Sequence, residues 1–346
     1  MKNSQKKWVL NFVLIVLLTG FALWFALKDD ADKVLSIIKD VSPLTLLAIL
    51  AWSMLYNVLV GCIMTLLARQ HRKDYSLMSG IINGYVGSFF SGITPSASGG
   101  QIGQVYVFKK QGIDFGDSAS ILWLDFIVYQ CVLMSYCLLM MLLRFSYYYT
   151  HYQFLFTFIF IGFCINLAVV FMLWTMAIFP NLYLKICDSV INLLSKLKLL
   201  KNPEFQRDRW MANLRQFQQQ INANKDNKKL IARLIILNIL RLTLYFSLPL
   251  VIGLALSIPY EKMPIIDVIA MSSFVTMVNS FFPVPGASGG TEMMFVEIFS
   301  ILISVKYASS IMIIWRFATY HFVLLLGGCL FLWVKRRKSW NDGGED

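Results

Sequence analysis

Twice in this chain a helix-breaking segment interrupts a stretch too apolar to be a loop in water. The first copy reads Ser88, Phe89, Phe90 and then Pro95, Ser96, Ala97, Ser98, Gly99, Gly100. The second reads Ser280, Phe281, Phe282 and then Pro285, Gly286, Ala287, Ser288, Gly289, Gly290. Proline and paired glycines stop a helix and leave backbone N–H and C=O groups unpaired. Hydrocarbon admits such groups only where protein or a watery cavity covers them. A break repeated in corresponding halves of a membrane protein points to a site at the bilayer midplane.

Composition places the chain in a membrane. It is 58% hydrophobic and 14% charged, with a mean hydropathy of +0.64, unlike an ordinary soluble domain. Runs at 8–27, 44–68, 118–143, 154–178, 230–257 and 308–334 reach the roughly 20 apolar residues that a bilayer requires. The first follows three lysines but precedes no small-residue cleavage site, so it reads as a retained anchor.

The net charge of +12 is a topology signal. Let the N-terminus be cytoplasmic, and let 77–110 and 265–305 each dip into the membrane and return. Then 22 of the 31 Lys/Arg fall on the cytoplasmic side, six outside and three within the membrane. The positive-inside rule favours this arrangement over one in which both segments cross. Nucleic-acid binding is excluded as the meaning of the basic balance, and attraction to anionic lipid is its expected accompaniment. Length agrees: too few residues separate Gly100 from Lys109 for another span. Gly80, Gly84, Gly87 and Ser91 put small residues at helical spacing on the first leg, so a partner helix can approach closely.

The expected fold is an all-α polytopic membrane protein, with about six transmembrane helices and two re-entrant helical hairpins arranged as an inverted repeat. One integral domain spans 1–346. Residues 44–143 form the first span–hairpin–span unit and 230–334 the second, opposite in direction. Between them, residues 180–229 read as cytoplasmic amphipathic helices. Ile186, Val190, Leu193, Leu194 and Leu197 lie on one face, and Trp210, Leu214, Phe217 and Ile221 on another.

Catalytic motifs are absent: there is no phosphate-binding loop, dinucleotide fingerprint or nucleophile elbow. The six cysteines lack paired spacing and are expected in the core. His71, His151 and His321 fall at different levels, so no metal site is expected. What remains is a set of costly intramembrane polar residues. Arg241 and Arg316 lie about 15 Å into their spans, level with the hairpin tips. Glu292 falls in the first turn after Gly290, where a carboxylate also favours a helix N-terminus. Glu297 is placed to pair with Arg316 or to carry protons, Asp125 sits nearer the cytoplasmic side, and Asn279 precedes the second break.

These parts suit a phosphate-bearing or zwitterionic head group. Helix N-termini after Gly99–Gly100 and Gly289–Gly290 offer N–H groups to an anion. Arg241 or Arg316 adds forked donors, and Glu292 meets an amine. Thr94, Ser96, Ser98, Gln101, Gln104, Ser288 and Thr291 supply neutral hydrogen bonds. Asp125, Glu292 and Glu297 are the candidate proton carriers.

The run from Gly87 to Gln101 and the run from Pro283 to Glu292 resemble the paired signatures of the lysylphosphatidylglycerol synthase transmembrane family. That family includes the flippase region of the multiple peptide resistance factor proteins. The resemblance covers about residues 8–335. It implies a flippase that moves aminoacylated phosphatidylglycerol such as lysylphosphatidylglycerol to the outer leaflet, giving resistance to cationic antimicrobial peptides. The expected location is the bacterial plasma membrane, multi-pass, with both termini cytoplasmic. The synthase domain of full-length relatives has no counterpart in these 346 residues. Gln101 departs from the glutamate common at its place in the family. Three alternatives stay open: a phosphatidylglycerol lysyltransferase, a translocator of a glycolipid or polyprenyl-linked sugar, and a membrane scaffold that recruits a separate synthase or glycosyltransferase through 180–229. The expected partner is a membrane phospholipid substrate, with a separate lipid synthase and a homodimeric partner left open. No cofactor is expected.

Overall fold

A computed structural model describes residues 41–95, 97–143, 153–179, 227–279 and 285–337, with isolated positions between 185 and 219. The expected anchor at 8–27, Ser96, Ser280 to Pro283 and nearly all of 180–226 lie outside the described residues. Everything described is helix or short connection, apart from one isolated β-bridge.

In chain order the helices are α1 (Pro43–Ala68), α2 (Leu77–Ile93), α3 (Gly99–Lys110), α4 (Phe115–Leu143), α5 (Gln153–Ile178) and α6 (Lys228–Ala255). Then follow α7 (Ile265–Val278), α8 (Gly290–Phe299) and α9 (Val305–Arg316), which runs through a π-helical turn (Phe317–His321) into α10 (Phe322–Arg336). Starts are capped as the residues dictate. Ser42 Oγ accepts from the Thr45 amide at 3.2 Å with Pro43 at the first position, Ser76 Oγ from Ser79 at 3.1 Å, and Asn227 Oδ1 from Leu230 at 3.1 Å.

Among the described residues, α1, α4, α6 and the continuous Val305–Arg336 helix are long and apolar enough to cross a membrane. They turn Leu44, Leu47, Leu142, Leu143, Ile236 and Leu240 outward, as a lipid-facing surface does. In α5 the apolar stretch is shorter, Phe156–Met172, with Phe160, Phe171 and Met172 exposed. Cys131, Cys164 and Cys329 are also exposed, and among the described cysteines only Cys137 is fully buried. The expectation of core cysteines is therefore corrected. In hydrocarbon an exterior cysteine costs little, because its neighbours are as apolar as a core.

The first broken segment returns to the end from which it started. Gln111, just past α3, donates from Nε2 to the Ser79 carbonyl at 3.0 Å and accepts from the Tyr75 hydroxyl. Arg72 Nη1 donates to the Gln111 carbonyl at 2.8 Å, and Lys110 Nζ to the Arg337 carbonyl at 3.4 Å. The basic residues at 69–73, 109–110 and 335–337 thus gather at one end of the bundle.

Small residues set how closely the helices approach. A Cβ on Gly80 of α2 would strike the Gly61 carbonyl and the Thr65 hydroxyl of α1. One on Gly61 would meet the Ile81 backbone, with Cα 2.7 Å away. From the other side Gly327 of α10 rests on the Tyr85 carbonyl of α2. The expected close approach on the first leg is made with α1 as well as with α3, where Gly87 lies against Gln104. The motif's phenylalanines complete the packing: Phe90 meets Phe331 of α10 edge-on at 4.8 Å, and Phe89 stacks on it at 6.2 Å.

Candidate functional site

In their described residues the two Pro-x-Ala-Ser-Gly-Gly segments share a turn hydrogen bond and an alanine angle, and they touch each other. In the first, the Ser98 amide donates to the Pro95 carbonyl at 3.2 Å; in the second, the Ser288 amide donates to Pro285 at 3.3 Å. The corresponding alanines, Ala97 and Ala287, both take left-handed backbone angles, φ 54° and 50°. A non-glycine residue there is strained and persists only where its surroundings impose it. Pro95 and Pro285 face one another in an antiparallel bridge, so the two breaks meet at their prolines, while Ala97, Ser98 and Gly289 stay exposed.

The second tip is organised by Arg316, the last residue of α9. Its Nε donates to Glu292 Oε1 at 2.6 Å, while Nη2 donates to the Gly286 carbonyl at 3.0 Å and to Ser288 Oγ at 3.2 Å. Its guanidinium carbon lies 4.4 Å from the centre of the Tyr320 ring. Tyr320 in turn donates its hydroxyl to the Gly92 carbonyl of α2 at 3.0 Å, joining the second tip to the first broken helix. The π turn after Arg316 lies within the run that sets Arg316 and Tyr320 together, and single π turns of this kind recur at functional sites. Gly286, at φ +61°, lies so close to the Tyr320 ring that a Cβ would collide with it. Glu292 Oε2 is buried and makes no hydrogen bond among the described residues.

Beside Tyr320 is a cavity of about 70 Å³ lined by Ser53, Asn57, Ser88, Tyr245, Thr319 and Tyr320, among others. That is room for more than one water, with polar groups to hold it. Ser88 donates to Asn57 Oδ1 at 3.2 Å, and Ser53 to the Ala318 carbonyl in the π turn at 2.9 Å.

The remaining candidates divide. Asn279 accepts from the Thr291 hydroxyl at 3.0 Å and so closes the base of the second tip. Thr94 is spent inside the first tip: it donates to the Phe90 carbonyl at 2.6 Å and accepts from the Gly99 amide at 2.8 Å. Gly99 and Gly100 are buried against Thr94 and Ser91, whereas Gly289 has open space around it and Gly290 begins α8. Ser98 is exposed and donates to Pro95, Gln101 is exposed, and Gln104 contacts Met64 Sδ at 3.6 Å, away from the tip. Ser96 lies outside the described residues.

Two expectations are corrected. Arg316 pairs with Glu292, not Glu297, because Glu297 is exposed on the opposite side of α8, about five residues further round. Asp125 lies at the level of Arg241, because α4 starts at Phe115, ahead of the expected 118. Asp125 Oδ1 is 3.7 Å from Arg241 Nη2, an ion pair without a hydrogen bond, and Arg241 stacks over Tyr129 at 4.3 Å. This is a second charged pair with neighbours of its own.

A family model described as the lysylphosphatidylglycerol synthase TM region matches residues 8–327. The chain belongs to that family. The match takes in both tips, Arg241, Arg316 and the helices that carry them, so the site described is part of the family's membrane region. Among curated proteins no match is found. Sequence reasoning in this family member overlooked Tyr320, Asn57 and Ser53. Their signal was present as polar residues three or four apart in apolar spans, facing one interior.

Proposed function

We propose that this protein translocates a polar-headed phospholipid between leaflets, an aminoacylated phosphatidylglycerol such as the lysyl form being the substrate class. The observation that carries the reading is the cluster at the second tip: Arg316 on Glu292, Gly286 and Ser288, against Pro95 of the first tip. In this reading, a phosphodiester displaces Glu292 and the Gly286 carbonyl from the guanidinium, whose planar donors suit phosphate. The released Glu292 carboxylate then meets the amine of the head group. Exchange of one partner for another leaves neither charge bare, which matters because an unpaired buried charge is costly. Acyl chains remain in lipid beside the bundle throughout.

The same reading takes α2–α3 and α7–α8 as hairpins entering from opposite faces, residues 44–143 and 230–334 as inverted units, and both termini as cytoplasmic. Residues 180–229 would then lie on the cytoplasmic surface, where a separate synthase docks. Export of a cationic lipid lowers outer negative charge and with it the attraction of cationic peptides. Asp125, Glu292 and Glu297 stand as candidate proton carriers in this scheme.

The test is leaflet distribution in cells that make the aminoacylated lipid. Glu292→Gln, Arg316→Gln and Gly100→Leu should each abolish its outer-leaflet appearance while protein level and total lipid persist. Unchanged distribution in all three would refute the proposal. Product from charged tRNA and phosphatidylglycerol in the purified protein would instead support the transferase alternative.

A further inference from the structure

At the basic end of the bundle, away from both tips, a groove of about 510 Å³ opens between α1 and α6. Its walls are Cys62, Leu66, Ile236 and Leu237, and its charged residues are Arg69 and Arg233. It shares no lining residue with the cavity beside Tyr320. Ile236 is 57% exposed, so the apolar wall is open sideways to lipid. Cys62 lies seven residues before Arg69, about 10 Å deeper along α1. The groove thus runs from a charged mouth into hydrocarbon, with a volume in the range of small-ligand sites.

The two arginines are set up for an anion. Arg69 Nε donates to the Tyr75 carbonyl at 2.9 Å, which fixes the side chain at the mouth. Among the described residues, neither Arg69 nor Arg233 has a carboxylate within ion-pair distance. Arg72, close by in sequence, is by contrast neutralised by Asp74 at 2.8 Å. Two cations without counter-charge above an apolar slot match one ligand chemistry: a phosphodiester with an acyl chain attached.

We infer that this groove is a binding site for an anionic phospholipid of the leaflet at the basic end. The phosphate is held between Arg69 and Arg233, and one acyl chain lies along Leu66, Ile236 and Leu237. The inference rests on the membrane placement of the chain but not on translocation, and its test reads binding alone.

The purified full-length protein is titrated with phosphatidylglycerol or phosphatidylcholine and examined by native mass spectrometry. One phosphatidylglycerol should be retained preferentially. Arg233→Gln, on an exposed helix face, should keep the thermal unfolding midpoint and weaken retention about fivefold, the size expected for one interfacial cation. Leu66→Trp fills the groove, leaves every charge in place, and should abolish preferential retention. Lys306→Gln, which removes an exposed cation of α9 outside the groove, should leave it unchanged. Equal retention of both lipids, unchanged retention in Arg233→Gln or Leu66→Trp, or displacement by millimolar inorganic phosphate would each overturn the site.

Discussion

Arg316 is held by four groups at once, and each imposes a measurable cost when removed. Its side chain is 9% exposed and that of Glu292 21%, so neither charge is well hydrated. Loss of either partner strands the other, which costs about 3 kcal/mol or more for a buried pair. Glu292→Gln and Arg316→Gln should each lower the unfolding midpoint in detergent. The double variant should lose less than the two combined, by about 1 kcal/mol or more. Additive losses would mean that the contact at 2.6 Å carries no coupling energy. A second comparison isolates strain from crowding. Gly286 and Gly289 both have positive φ, +61° and +84°, but only Gly286 has an atom in the way, the Tyr320 ring. Gly289→Ala should cost about 1 kcal/mol from backbone angle alone. Gly286→Ala should cost more, and Tyr320→Ala should restore the difference when combined with it. Equal losses at the two glycines, read by thermal unfolding, would contradict the packing described.

At the scale of elements, α2 and α3 are closed at their base by a clip outside the apolar zone. Arg72 donates to both Asp74 oxygens, at 2.9, 3.1 and 2.8 Å, and to the Gln111 carbonyl. The hydrogen bond from Arg72 holds the Asp74 carboxyl below its ordinary value. A carboxylate lowered in the folded state contributes above its unfolded value, near 3.9, and the contribution is lost as pH falls through the lowered value. Asp74→Asn should therefore reduce hydrogen-exchange protection of residues 69–76 at neutral pH. Acidification to about pH 3 or below should then reduce protection in the parent protein but not in the variant. Protection that is the same in both at neutral pH would show the clip to be inert. The spans themselves were legible from the sequence, since apolar length is a local signal. The partner of Arg316 was not legible. Glu292 and Glu297 both lie on α8 within reach by sequence, and only the rotation of that helix against α9 decides between them. Thr94 has a local role that the sequence reading did not name: its hydroxyl accepts from the Gly99 amide and so ties its own turn together.

At the scale of the whole molecule, the repeat seen in the sequence becomes a physical contact. Matching residues, Ala97 with Ala287 and Pro95 with Pro285, share backbone angles or a bridge although 190 positions separate them. Repetition was visible in the letters, and a shared midplane level implied that the copies meet; which residues touch was not visible, because nothing local encodes a contact between two distant turns. The meeting also places α2, α10 and the π turn around one polar cavity, through Tyr320 and Gly92. The translocation proposed above requires the tips to separate or shift to pass a head group. The direct measurement is a reversible cross-link between them in a protein freed of its six native cysteines. Residues opposed across an antiparallel bridge lie about 4.5–5.5 Å apart at Cα, within disulfide range. Pro95→Cys with Pro285→Cys should therefore oxidise to an intramolecular disulfide in membranes. The cross-linked protein should stop moving lipid between leaflets until it is reduced. Failure to cross-link, or lipid movement that continues undiminished with the bridge closed, would contradict the account.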